Sequence, residues 1–114
     1  MEIRFEDYNT VLVAQVPYCL ERSNAVIFKK ILLTRMLPGQ DVILNLEKLK
    51  NIDCFGLDVL LAVAQDALEI DSTVSLAQIE PELKIVLEVT KVYRAFRIFD
   101  TVEEAIDECQ RGKK

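Results

Sequence analysis

The residues with most chemical potential lie together in Asn51-Ile52-Asp53-Cys54-Phe55-Gly56-Leu57-Asp58, where a strand pattern gives way to a long apolar helix. Asp53 is the natural N-cap of that helix, because its carboxylate can accept the free N–H groups of the first turn. Cys54 is then the first helical residue. A thiol there could be a nucleophile, a redox sensor or a packing residue. Nucleophilic thiols are activated by an adjacent base, and the chain has no histidine. That absence also removes the usual proton shuttle and the commonest metal ligand. Asp53 and Asp58 oppose further negative charge at the sulfur. With only three glycines and no phosphate-cradling loop, the sequence points to a binding protein, not an enzyme, with no cofactor and no metal.

On a helical wheel Asp58, Gln65, Asp66 and Glu69 share one narrow polar sector. Leu57, Val59, Leu60, Leu61, Val63, Ala64, Ala67, Leu68 and Ile70 fill the remainder, which predicts burial on a broad front. Phe55 falls inside the polar sector. It is either an exposed anchor for a partner, the kind of aromatic that dominates binding energy, or a lid folded back over the loop.

The elements that must position this junction follow from periodicity. Residues 3–7 and 10–16 read as two strands with Asn9 between them, an antiparallel hairpin. Ser23 is a good N-cap for a helix to about Met36, with Ala25, Phe28, Leu32 and Met36 inward. Residues 41–46 are a near-continuous apolar run, the mark of a central strand covered on both faces. Helix two runs from Cys54 to about Ile70, and 73–78 is the next strand. Pro81 suits the first turn of a third helix, reaching about Tyr93. Phe96 to Phe99 is a short strand, and Thr101-x-x-Glu104 is a capping box that opens the last helix. The order ββαβαβαβα predicts one α/β domain over 1–114, a small mixed β-sheet flanked by helices with parallel right-handed crossovers.

Composition narrows the partners. Of 114 residues 51% are hydrophobic and 29% charged, with a net charge of −5, as in a soluble globular protein. An acidic surface argues against nucleic acid, whose phosphates need clustered Lys and Arg. The basic run Arg111-Gly112-Lys113-Lys114 reads as a frayed tail. No apolar segment is long enough for membrane insertion. Cys19, Cys54 and Cys109 are scattered and odd in number, which fits reduced thiols and a cytoplasmic location.

Two blocks of sequence carry a family resemblance. Residues 42–61, VILNLEKLKNIDCFGLDVLL, resemble the signature of STAS domains, in particular anti-sigma factor antagonists. In that pattern an apolar strand ends in Asp-Leu or Asn-Leu, here Asn45-Leu46. An apolar-Asp-Ser-small-Gly-Leu run then opens a helix, here Ile52 to Leu57. Residues 79–106 are similar to the family's downstream helix-strand-helix block. The resemblance implies a bacterial partner-switching regulator of transcription that binds a kinase-type anti-sigma factor. It implies that the serine after the motif Asp is phosphorylated to break the complex. Its docking surface maps onto Asp53, Cys54, Phe55, Gly56, Leu57 and Asp58, with Glu21 from an upstream segment. Here Cys54 stands at the phosphoserine position and Phe55 replaces a small residue. Tyr18 stands where glycine is usual, and Lys91-Val92 replaces a glycine step. The resemblance therefore implies a phosphorylation-independent binding module. Its alternative is a constitutive STAS subunit of a lipid-transport ABC system. A homodimer is compatible with either.

A kinase of the anti-sigma type is expected to leave residue 54 unmodified, since a thiol is not a substrate for Ser/Thr phosphorylation. Mass spectrometry after incubation with kinase and ATP checks this, and phosphate on Cys54 would contradict it. Phosphate appearing there only in Cys54→Ser would support the replacement reading.

Overall fold

The structure, a computed structural model, describes residues 1–111. Of the expected basic tail, Gly112–Lys114 lie outside the described residues, while Arg111 ends the last helix. The strands are β1 (Phe5–Asp7), β2 (Val11–Gln15), β3 (Cys19–Leu20), β4 (Asp41–Asn45), β5 (Asn51–Ile52), β6 (Val74–Ala77) and β7 (Arg97–Phe99). The helices are α1 (Ala25–Arg35), α2 (Cys54–Leu68), α3 (Pro81–Val89) and α4 (Val102–Arg111), with a 3₁₀ turn at Val92–Ala95.

The main sheet has the order β1-β2-β4-β6-β7. β1 pairs antiparallel with β2, from Phe5 opposite Ala14 to Asp7 opposite Leu12, and all other pairs are parallel. The hairpin turns at Asn9, whose φ of 73° suits asparagine. The sheet is therefore mixed, as the element order implied.

Strand alternation sends successive side chains to opposite faces. Leu12, Ala14, Val42, Leu44 and Leu76 join α1, α2 and α3 in the larger core through Phe28, Leu32, Leu60, Leu83 and Leu87. Val11, Val13, Ile43 and Ala77 meet α4 through Ala105 and Cys109. β4 is the middle strand and is covered on both sides, as its near-continuous apolar run suggested. Ala25, Phe28, Leu32 and Met36 are buried, as their spacing predicted.

Several local expectations fail for identifiable reasons. Asn24, not Ser23, precedes α1, and it makes no side-chain cap to the helix. Its amide instead accepts from the N–H of Glu21 and donates to the carbonyl of Cys19 at 2.7 Å. α3 stops at Val89, short of Tyr93, because Lys91 turns to a left-handed φ of 63°. α2 ends at Leu68 and is buried on a narrower front than its wheel suggested, with Leu61 and Leu68 exposed. The β3–β5 ladder was not anticipated. It pairs Cys19 with Asn51 and Leu20 with Ile52, and two residues per strand give no periodic signal.

That small ladder positions the start of α2. Asp53 divides its carboxylate between two distant backbones. One oxygen accepts from the N–H of Gly56 at 3.0 Å, the N-cap that its position predicted. The other accepts from the N–H of Arg22, also at 3.0 Å, in the loop after β3. Gly56 lets the backbones close. A Cβ there would overlap the carbonyl oxygen of Leu20 and lie 2.7 Å from Cγ1 of Ile52. Partial burial alone would push the Asp53 carboxyl up, but the N–H donors of Arg22, Gly56 and Phe55 outweigh it and hold it below the usual range.

Two outcomes follow. Gly56→Ala should destabilise by about 1–3 kcal/mol, the usual overpacking penalty, although alanine is normally the better helix former by about 1 kcal/mol. Urea melts decide, and a more stable variant would contradict the close approach. Asp53→Asn should also lower stability, with a pH signature. A depressed folded-state pKa contributes stability above the unfolded carboxylate value of about 3.9, and that contribution is lost as pH falls through the folded value. The gap between wild type and variant should therefore be full at neutral pH and narrow in acid. A pH-independent gap would contradict the role of the charge.

Candidate functional site

With Asp53 turned inward to its two donors, the first turn of α2 divides sharply. Cys54, Phe55 and Asp58 are exposed, Leu57 is half-buried and Gly56 is buried. Of the residues assigned to docking from sequence, the structure thus places three on the surface. Gly56 is shut behind Leu20, and Leu57 packs against the main core. Both belong to the support of the surface, not to its face. Glu21 is half-buried on the adjoining loop after β3, the loop that the second oxygen of Asp53 holds.

Phe55 is not folded away as a lid over the loop. The residue is 46% exposed, and the Arg22 guanidinium lies over its ring, 5.5 Å from the centroid. A cation over an aromatic face at this distance is attractive, by about 0.5–1 kcal/mol at an exposed site. The stack favours this orientation of the ring at the surface. Arg22 was not singled out from sequence. Glu21 beside it was assigned to docking only through the family resemblance, and the place of Arg22 beside Phe55 follows from the β3–β5 pairing between distant segments.

Beside the stack runs a shallow groove of about 270 Å³ between α1 and α2. Val26, Val59 and Ala62 line it, together with Arg22, Lys29, Phe55 and Asp58. Lys29 reaches Asp66 across it at 3.9 Å. Both side chains are substantially solvated, so the pair contributes little to stability. The surface therefore mixes an aromatic anchor, a short apolar trough and charges of both signs. Aromatic and Arg side chains are the types enriched at protein interfaces.

The three thiols lie in different settings. The Cys54 thiol is exposed and has no hydrogen-bond partner among the described residues. Cys19 lies close by, but burial first, then the Glu21 carboxylate, push its thiol up and keep it protonated. Cys109 is buried under α4, on the other face of the sheet. Among the described residues no three His, Cys, Asp or Glu side chains are grouped to hold a metal ion, and no helix is long and apolar enough to cross a membrane.

Known proteins agree with this architecture. A family model described as the STAS domain matches residues 3–105. A Thermotoga neapolitana homologue of TM1081, provisionally assigned as an anti-sigma factor antagonist, is 28% identical over 93 residues. The alignment covers 80% of this chain and 82% of that protein. The crystal structure of TM1081 from Thermotoga maritima, under the same provisional assignment, superposes with a TM-score of 0.85 at 24% identity. It covers 95% of this chain and 94% of that one. The anti-sigma factor antagonist SpoIIAA in its unphosphorylated form superposes with a TM-score of 0.78 at 19% identity, over 96% of each chain. At these identities the two structures speak for the fold. The family match begins ahead of β1 and ends inside α4, so it takes in every element that builds the junction: this chain belongs to the STAS domain family, and within it resembles the anti-sigma factor antagonists.

Proposed function

We propose that the protein is a regulatory binding module that docks on a kinase-type anti-sigma factor through the start of α2, with residue 54 fixed in the non-phosphorylated condition. The observation that carries this reading is the division of labour at the junction. Asp53 and Gly56 are consumed in joining two backbones, whereas Cys54, between them and the solvent, holds nothing together. A side chain that is exposed, unbonded and central to a mixed polar and aromatic surface is free to be set by what the partner requires. A thiol has the shape of the serine hydroxyl and lacks its phosphorylation chemistry. The module then acts by being present or absent, not by a phosphate added or removed. The cytoplasm, where such kinases act, is the setting that this reading requires.

Two substitutions test it against the anti-sigma kinase from the native host. Cys54→Asp places a charge at the helix N-terminus, where the helix dipole favours it by about 0.3–1 kcal/mol. Asp53 and Asp58 offset that gain as like charges, so folding stability should stay within about 1 kcal/mol of wild type, while partner affinity falls through charge in the middle of the docking face. Phe55→Ala should leave stability within about 1 kcal/mol of wild type, as surface changes do. It should weaken the complex by about 2 kcal/mol or more, as loss of a hot spot does. Urea melts and calorimetric titration separate the two quantities. Unchanged affinity in both variants would remove the start of α2 from the interface.

A further inference from the structure

α3 is apolar on two sides, and only one of them is covered. Leu83 and Leu87 face the main core, at 7% and 1% exposure. Ile85, Val86 and Val89 form a second stripe on the outside, at 61%, 36% and 76%. With Glu82 they occupy positions i, i+3, i+4 and i+7, one continuous face of a helix. A nine-residue helix with a polar exterior would satisfy the fold equally well, and a helix apolar all round is normally buried.

The charges at the two ends of the stripe indicate what covers it. Glu82 lies at the N-terminal end. Lys91 and Arg94 lie just past the C-terminal end, and all three are exposed. None of them has an ion-pair partner among the described residues. The stripe is therefore complementary to itself when reversed. Packed against a second copy with the helices antiparallel, Val86 meets Val86 near the axis, and Glu82 of each copy falls opposite the end of the other α3, beside Lys91. Parallel packing would oppose Glu82 to Glu82. A two-fold, isologous contact is the arrangement that self-complementarity of this kind produces.

We infer that the exposed face of α3 is the interface of a two-fold homodimer, centred on Val86, flanked by Ile85 and Val89, and registered by Glu82 against Lys91. One short helix from each copy buries less than the roughly 800 Å² per partner of a stable complex. The dimer is accordingly weak and reversible. It is built from α3 and the residues just after it, so its test needs no docking partner.

Sedimentation from about 10 µM to about 1 mM, the range in which so small an interface associates, tests it with the protein alone. The mass should rise from 13.0 kDa toward twice that value. Val89→Asp should stay monomeric throughout with an unchanged melting curve. Glu82→Lys and Lys91→Glu should each weaken self-association by about tenfold or more through like-charge contact. Mixed in equal amounts, the two variants should form a heterodimer, because each then supplies the charge that the other lacks. A monomer at every concentration would overturn the inference and leave the stripe to a partner of another kind. A dimer untouched by Val89→Asp, or single charge variants that mix without associating, would also overturn it.

Discussion

The junction at the start of α2 depends on one shared carboxylate. Asp53 caps α2 with one oxygen and holds the loop after β3 with the other. Neither bond alone would define a surface. Together they fasten the beginning of a helix to a segment some thirty residues earlier, and they do so at the point where Gly56 removes the side chain that would keep the two apart. The two-residue β3–β5 ladder is too short to be stable by itself. It is held in place by the same contacts that it aligns, so ladder, cap and close approach form as a unit.

From that unit the exposed chemistry follows. A helix start fixed on both flanks presents its first turn at a constant angle, so Cys54, Phe55 and Asp58 face outward without the ordering cost that a loose loop would incur on binding. Arg22, delivered by the clamped loop, stacks on Phe55 and limits its motion further. The side chain at 54 plays no part in building this junction, so under the proposed function a change of residue there alters the docking face and leaves its support intact.

Much of this was legible in the residues. The apolar run 41–46 marked the central strand, the 3.6-residue stripe of α1 marked its buried face, and Asp53 was readable as a cap from its place before a helical pattern. What the sequence concealed was what depends on pairing at a distance. The second hydrogen bond of Asp53, the β3–β5 ladder and the Arg22–Phe55 stack all join segments far apart in the chain, and none has a local period. Asn24 misled for a related reason. Ser23 looked like the cap by type, but the Asn24 amide found better partners in the preceding turn. Lys91 hid the end of α3 because lysine seldom adopts a left-handed conformation, where glycine is usual.

The central claim is that the clamped start of α2 is the face that meets the partner while residue 54 carries no phosphate. Amide hydrogen exchange on the wild-type protein, alone and with the anti-sigma kinase of its native host, tests this most directly. The account predicts new protection confined to the loop around Arg22 and to the first turn of α2, from Cys54 to Asp58, with α4 and the far edge of the sheet unchanged. Protection centred on α4 would contradict it, as would complete absence of binding by the unmodified protein.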